Sequence, residues 1–173
     1  MATLDDVVGS VGRRAVLGRR SFIAVLVAFV LAGATGLLGV REATTATSSG
    51  ASASSGGYEL TVTYASVARA GLDVPLVVTV HRRGGFGKEL VLGISADYLD
   101  IFETQGFNPD PTEATRDGDL LRLTFAAPPG ETFRFSYDAY IQPSSQQGED
   151  AIICVLEDGR QVASVSLTTH LVP

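Results

Sequence analysis

The stretch YELTVTY, residues 58–64, alternates bulky apolar or aromatic side chains with polar ones. Its even-numbered positions hold Tyr, Leu, Val and Tyr, whereas its odd-numbered positions hold Glu, Thr and Thr. Successive side chains of an extended strand point to opposite faces, so this pattern gives one apolar face and one polar face. The stretch therefore predicts a half-buried β-strand.

Similar segments follow along the rest of the chain. They are four to eleven residues long, rich in β-branched or aromatic residues and separated by turn signals. The further segments are PLVVTVHR (75–82), ELVLGIS (89–95), LLRLTF (120–125), TFRFSYDAYI (132–141), AIICVLE (151–157) and VASVSLTTHLV (162–172). Asp117-Gly118 and Asp158-Gly159 lie between such segments, as in tight type I′ hairpins. The sequence thus predicts an all-β, immunoglobulin-like β-sandwich of about seven antiparallel strands, with a small barrel as the alternative.

One segment differs from the strand pattern. ADYLDIFETQGF, residues 96–107, places Tyr98, Ile101, Phe102 and Gln105 at helical spacing, with Asp97 suited to cap the helix. We expect one short helix here. The proline-punctuated stretch NPDPTEATRDGD that follows is expected to be a loop.

The amino-terminal third of the chain has a different composition. Twenty consecutive residues without a charge, Ser21–Val40, would span about 30 Å as a helix, which matches the hydrocarbon core of a bilayer. We interpret 21–40 as a transmembrane signal-anchor helix. Cleavage after Ala43 or Ala46 is an alternative, and RRSFI, residues 19–23, also resembles a twin-arginine export signal.

Arginines flank this segment unevenly. Four precede it and one, Arg41, follows it, which predicts a cytoplasmic amino terminus and an extracytoplasmic carboxyl terminus in a single-pass protein of the cytoplasmic membrane. The residues that set this orientation are Arg13, Arg14, Arg19 and Arg20.

Domain boundaries follow from these features. Residues 1–20 are expected to form a basic cytoplasmic amino terminus, and residues 41–57, rich in Ala, Ser, Thr and Gly, a flexible tether. Residues 58–173 are enough for one domain with a single core. The single cysteine excludes an internal disulfide.

The charge of the predicted domain limits its partners. From residue 58 onward, sixteen acidic residues oppose eight basic ones. Phosphate backbones repel an acidic surface, so we expect no nucleic-acid partner.

The segment FAAPPGETFRFSYDAYIQP, residues 125–143, ends one strand at a Pro-Gly turn and begins a long alternating strand. It resembles bacterial immunoglobulin-like domains, similar to the adhesion-type modules of bacterial surfaces, which often stand on a membrane anchor. The whole layout also resembles small membrane proteins of high-GC bacteria. This resemblance implies a sandwich fold and supplies no catalytic residues.

The cysteine is the first candidate for chemistry. Cys154 shares the parity of Ile152 and Leu156, and a thiol in an apolar environment is unreactive, so we expect it to pack in the core. The alternative is a sortase-like anchored cysteine enzyme using Cys154 and Arg160. The residues before Cys154 are Ala-Ile-Ile and do not match that family's Thr-Leu-x-Thr pattern.

The histidines and acidic residues suggest no defined metal site. His81 and His170 are about ninety residues apart without a close pairing, and both are expected to point outward. The acidic residues could offer calcium oxygen ligands, but their spacing matches no EF-hand. We expect no cofactor and identify no small-molecule substrate. The acidic residues in question are Asp97, Asp100, Glu103, Asp110, Glu113, Asp117 and Asp119.

The loop RRGGFGK, residues 82–88, is the candidate recognition site because loops displayed on a rigid scaffold often carry binding residues. Its candidate residues are Arg82, Arg83, Phe86 and Lys88. Together, these features predict a non-catalytic, membrane-anchored extracytoplasmic module that docks an envelope or membrane protein. A secreted β-sandwich, exported by the general or the twin-arginine route, is the alternative.

Overall fold

The computed structural model describes residues 13–35, 39–47 and 57–172. The chain divides into two compact units, residues 1–39 and residues 40–173. The first contains helix α1, and the second is a mostly β domain. Each unit is considered by itself.

Helix α1 spans Arg13–Ala34. Within the described residues it is the one helix long and apolar enough to cross a membrane, with a 20-residue window, Ala15–Ala34, of mean hydropathy 2.0. None of that window is buried against the rest of the protein. A membrane anchor and a signal sequence both have these properties. One apolar helix followed by a β-rich domain fits a membrane-anchored β-domain.

The bounds of α1 differ from the predicted span of residues 21–40. The helix begins earlier and contains the four arginines, with Arg13 and Arg14 in its first turn and exposed Arg19 and Arg20 further along. It ends at Ala34, before residues 35–40 of the predicted span. At this end the Thr35 hydroxyl donates to the carbonyl oxygens of Leu31, at 3.0 Å, and Ala32, at 3.1 Å, and so bonds to carbonyl groups of the last turn.

The described part of the second unit contains ten strands and one short helix, α2. Each of the seven predicted strand segments lies within one of these strands. The bounds are β1 Arg41–Thr47, β2 Tyr58–Arg69, β3 Asp73–Arg82, β4 Glu89–Ser95, α2 Ala96–Leu99, β5 Phe102–Asn108, β6 Glu113–Asp117, β7 Leu120–Ala126, β8 Thr132–Ile141, β9 Glu149–Glu157 and β10 Arg160–Val172.

The strands form one curled, mixed sheet in the order β5-β8-β3-β2-β10-β9-β4-β7-β6, with β1 paired to β2 off this path. The pairing between β10 and β2 is parallel, and every other pairing of the described strands is antiparallel. Strand β10 first pairs with β9 and then, from His170 to Val172, with β2. The sequence predicted about seven antiparallel strands; the structure has ten strands and this one parallel pair.

Curling brings the two halves of the sheet together around one apolar core. The even-numbered residues of YELTVTY predicted to face inward are buried from Tyr58 to Val62, and Tyr64 packs partly buried against the same core. Phe125 of β7 contacts Phe133 of β8, with ring centroids 4.8 Å apart, although these strands lie in different halves. Tight packing of such apolar side chains supplies the main stabilisation of a domain of this size.

Strand β1 was not anticipated, because its residues belong to the segment predicted as a tether. Arg41–Thr47 pairs with β2, and Thr44 and Thr63 place their hydroxyl oxygens 3.2 Å apart across the two strands. Threonine favours strands, and the unpaired edge of β2 supplies the partner that the sequence could not reveal. The remaining part of the predicted tether connects β1 to β2, and its residues 48–56 lie outside the described residues.

The predicted helix over residues 96–107 is wrong for most of its length. Helix α2 ends at Leu99 after a single turn, and β5 begins at Phe102. The residue preceding the helix is Ser95, not Asp97, and it makes no side-chain capping hydrogen bond. Phe102 is buried between the rings of Tyr98 and Tyr137, and this packing outweighs the helical spacing of the segment.

The predicted loop after β5 contains strand β6, which pairs with β7 through five residues, all exposed. The turn between them has Gly118 at a φ of 60°, with positive φ at its first position alone. It therefore fits the glycine-first pattern of type II′ better than the predicted type I′. The turn at Asp158-Gly159 has positive φ at both residues, 50° and 74°, as type I′ requires.

Candidate functional site

The candidate recognition loop, residues 83–88, connects β3 to β4. It lies at one end of the β-domain, because Arg82 at the end of β3 pairs with Tyr58 at the start of β2. Arg41, where the chain comes in from α1, pairs with Val67 near the other end of β2. The loop is therefore displayed at the end of the domain opposite to Arg41.

Arg82 is held in place by neighbouring side chains. Its guanidinium group lies 3.2 Å from Glu157 Oε1 and 4.6 Å from the centre of the Tyr58 ring. Its side chain is 24% exposed. An ion pair and a cation–π contact in a partly desolvated position favour one orientation of this group. Arg82 thus supports the base of the loop, and its predicted role as a contact residue stays a prediction.

The pKa of the Tyr58 hydroxyl is affected by the same neighbours, Arg82 and Glu157. Burial raises the pKa of Tyr58 above its usual 10.0, and Glu157 also raises it, whereas Arg82 lowers it. The tyrosine therefore stays neutral at physiological pH and contributes its ring face to Arg82.

The turn between β7 and β8 braces the recognition loop. Gly84 donates its backbone N–H to Glu131 Oε1 at 2.8 Å, and Arg82 donates its backbone N–H to the Glu131 carbonyl oxygen at 2.8 Å. Ala127 donates its backbone N–H to the carbonyl oxygen of Lys88 at 3.2 Å. These bonds hold both ends of the loop.

Gly85 is required where the two turns meet. Its φ is 80°, and a Cβ atom there would lie 3.2 Å from the carbonyl oxygen of Gly130. A side chain at this position would be strained and would crowd the neighbouring backbone.

The remaining loop candidates divide into one packed residue and two exposed ones. Phe86 is partly buried and packs against the apolar core. Arg83 and Lys88 are exposed. Three of the four predicted residues thus lie in the loop and Arg82 lies at the end of β3 beside it, and the exposed cationic side chains of the loop are Arg83 and Lys88.

Cys154 lies in the core. It is 0% exposed, and burial raises the pKa of its thiol, although a hydrogen bond from the backbone of Gly93 opposes this shift. A neutral, enclosed thiol is a poor nucleophile. In the strand register Cys154 faces Gly93 and Ser164, whereas Arg160 faces Glu157; Arg122 is the arginine whose charge lowers the pKa of the thiol against the effect of burial.

The histidines lie apart. His81 is half-buried, with Nδ1 3.2 Å from Thr132 Oγ1, and His170 is exposed near the end of β10. In the described part of the chain no three His, Cys, Asp or Glu side chains are grouped to hold a metal ion.

Several candidate calcium ligands are engaged in ion pairs. Arg116 lies 3.3 Å from Asp97 and 4.0 Å from Asp100, and Arg122 lies 2.8 Å from Asp117. These exposed pairs stabilise the protein little, but they orient the carboxylates toward guanidinium groups.

The sequence did not reveal an open cleft of about 350 Å³ beside α2. Its lining includes Leu99, Phe107 and Leu121, which are partly buried against the core, and Arg116. Recognising β6 as a strand would have pointed to the cleft, but its five residues are charged or small and were therefore predicted to be a loop. Strands β5 and β6 are the two ends of the curled sheet and do not pair with each other, and the cleft lies between them.

No protein-family model matches this chain, and no curated protein matches it either. Function therefore has to be inferred from the chain's own geometry.

Proposed function

We propose that the chain is a single-pass protein of the cytoplasmic membrane that displays an extracytoplasmic β-domain as a non-catalytic binding module. Its partner is another protein of the cell envelope or membrane. The observation that carries this proposal is the braced loop, residues 83–88, at the end of the domain opposite to Arg41. A preformed loop loses little conformational entropy on docking, which favours binding.

The orientation is supported by charge. The apolar window of α1 contains exposed Arg19 and Arg20 near its amino-terminal end, and basic residues are retained on the cytoplasmic side. This charge distribution supports a signal-anchor with its carboxyl terminus outside. Six residues separate Ala34 from Arg41, so the β-domain begins soon after the helix.

An immunoglobulin-like arrangement of the β-domain is the fold that we propose, and the strand order supports it. Strands β2, β3, β8 and β5 are neighbours, as are β10, β9, β4, β7 and β6, and the two groups share one core. This grouping resembles two packed sheets in a Greek-key arrangement, joined where β10 pairs with β2.

A binding role fits the side chains better than catalysis does. The single thiol is enclosed, and the hydrogen bond of His81 goes to the Thr132 hydroxyl without a carboxylate among the described hydrogen bonds to orient the ring. The exposed groups of the loop, Arg83 and Lys88, are suited to contact an acidic patch on a partner and to speed association.

Site-specific photo-crosslinking in cells tests the docking loop. A photoreactive amino acid is introduced at Arg83 in one variant and at Arg134 in a control; both are exposed arginines, but Arg134 lies on β8. We expect one defined adduct from position 83, lost when Lys88→Glu is added to that variant and retained when Arg134→Glu is added instead. Equal adducts from both positions, or none from position 83, would contradict docking through this loop.

Fractionation tests the anchor separately. The full chain is expected in the membrane fraction, with the intact mass of the uncleaved protein and a β-domain accessible to protease only from outside. A soluble product that begins after Val40 would instead support the secreted alternative.

A further inference from the structure

The two end strands of the sheet, β5 and β6, border the open cleft beside α2. Leu99, Phe107 and Leu121 give the cleft an apolar lining, and Arg116 of β6 stands at its border. Its volume of about 350 Å³ is enough for one or two apolar side chains.

Strand β6 offers a regular edge next to this cleft. It pairs with β7 without a register shift, and no strand of the described chain pairs with its other side. The main-chain N–H and C=O groups along such an edge can pair with another chain. Strand β5 is a poorer edge, because its register shifts between Thr104 and Phe107.

The two faces of β6 have different surroundings. Ala114 pairs with buried Leu123, and Arg116 pairs with Leu121, so these residues belong to the face on the cleft side. Glu113, Thr115 and Asp117 lie on the opposite face. A strand added to β6 would continue this alternation, with every second side chain over the cleft.

The charges around β6 are mainly negative. Five carboxylates surround β6 and the cleft against two guanidinium groups, and both guanidinium groups are already paired with carboxylates. Two of these carboxylates, Glu89 and Glu113, form none of the ion pairs among the described residues. The surroundings thus favour positive side chains on an added strand. The five acids are Glu89, Asp97, Asp100, Glu113 and Asp117, and the two bases are Arg116 and Arg122.

A second copy of the chain is a poor occupant of this edge. If two β6 strands paired antiparallel about Thr115, Glu113 of one copy would face Asp117 of the other. Like charges directly opposite each other destabilise a strand pair. The edge therefore disfavours self-association and favours a partner of opposite charge.

We infer that β6 and the adjoining cleft form a second docking site, which takes an extended segment of a partner protein with alternating basic and apolar residues. The apolar side chains enter the cleft beside Leu121, and the lysine or arginine side chains lie beside Glu113 on the opposite face, with Glu89 adding to the negative charge of that face. This site is distinct from the loop at residues 83–88, and it does not depend on that loop being functional.

Peptide binding to the full chain in nanodiscs of zwitterionic lipid tests the site, with empty nanodiscs subtracted. The probes are peptides of about seven residues: one alternates Lys with Val or Ile, one has the same composition in blocks, and one replaces each Lys by Glu. We expect the alternating basic peptide to bind about tenfold more tightly than the block peptide, because only alternation satisfies both faces. Its binding should slow hydrogen exchange at the backbone amides of β6.

Charge variants give the matched control. The double variant Glu89→Lys, Glu113→Lys keeps the pair between Asp117 and Arg122, and it should weaken the basic peptide about tenfold and favour the acidic one. The control Glu59→Lys, Asp138→Lys makes the same charge change on exposed positions of β2 and β8, and should alter nothing.

Four results would overturn the inference: no binding of the alternating peptide, equal binding of the block peptide, protection outside β6, or equal weakening by both double variants. None of these results bears on the loop, which is tested by its own variants at Arg83 and Lys88.

Discussion

Tyr98 donates its hydroxyl proton to Thr169 Oγ1 at 3.0 Å, because the Thr169 hydroxyl donates its own proton to the carbonyl oxygen of Ala65 at 2.8 Å. Tyr98 and Thr169 are each 1% exposed. This chain of bonds joins α2, β10 and β2 inside the core. Buried polar groups of this kind stabilise one arrangement of the elements that they connect.

Replacing Thr169 by valine should destabilise the domain by about 2 to 4 kcal/mol, because the Tyr98 hydroxyl and the Ala65 carbonyl would both remain buried without their partner. Thermal unfolding of the full chain in detergent, followed by circular dichroism, measures the loss. Thr168→Val, at the half-buried neighbouring position, is the control; it removes an exposed hydrogen bond to Asp150, whose groups water can reach, and should cost less. Equal losses in the two variants would show that the bond chain contributes nothing special.

Stability should fall at alkaline pH because of the buried tyrosine. Burial raises the pKa of Tyr98 from 10.0 to about 12. The unfolded chain therefore loses the proton first, and the stabilisation is complete below pH 10 and is lost as the pH rises toward 12. Unfolding midpoints measured across this range should show a smaller decline in Tyr98→Phe than in the unaltered protein. An identical decline in both would contradict the assignment.

Gly93→Ala should destabilise the domain by about 1 to 3 kcal/mol, the usual cost of overpacking a core. A Cβ atom at position 93 would lie 2.8 Å from Cys154 Sγ, and both residues are buried between paired strands. Combining Gly93→Ala with Cys154→Ala should cost less than the sum of the two single changes, because the second change removes the clashing atom. Strict additivity in unfolding measurements would rule out this contact as the cause.

Cys154 should react with a thiol probe only after unfolding. Its enclosure and the raised pKa of its thiol both suppress the reactive thiolate. Mass spectrometry of the full chain after alkylation, with and without denaturant, measures the difference. Rapid labelling of the folded protein would instead favour the cysteine-enzyme alternative.

Alternating sequence patterns predicted the central strands because every second side chain of such a strand is buried and apolar. In TFRFSYDAYI, Phe133, Phe135 and Tyr137 face the core as the period of two requires. Strands β1 and β6 lack this alternation of apolar and polar residues. Strand β1 pairs only with β2, and strand β6 is exposed on both faces. Their existence depends on partners distant in the sequence, which local composition does not report.

Residues 83–88 lie between two strands as the sequence predicted, and their role in recognition stays a prediction; the contacts of these residues come from distant parts of the chain. Arg82 could not be recognised as a support, because Glu157 is 75 residues away in the sequence and Tyr58 is on another strand. The cleft beside β6 was missed for a similar reason. The cleft lies where β5 and β6 come near each other without pairing. The absence of a strand pairing leaves no local pattern in the sequence.

The pairing of β1 with β2 has a mechanical consequence. If a partner pulls on the loop at residues 83–88 while α1 holds Arg41, the two forces act in opposite directions along the strand axes. The β1–β2 ladder, from Arg41↔Val67 to Thr47↔Leu60, is then loaded in shear. Because its hydrogen bonds are perpendicular to the strands, they share the load instead of opening one at a time. Under such a pull, the β1–β2 pair would be the first part of the β-domain to bear the load, and its hydrogen bonds would resist separation together.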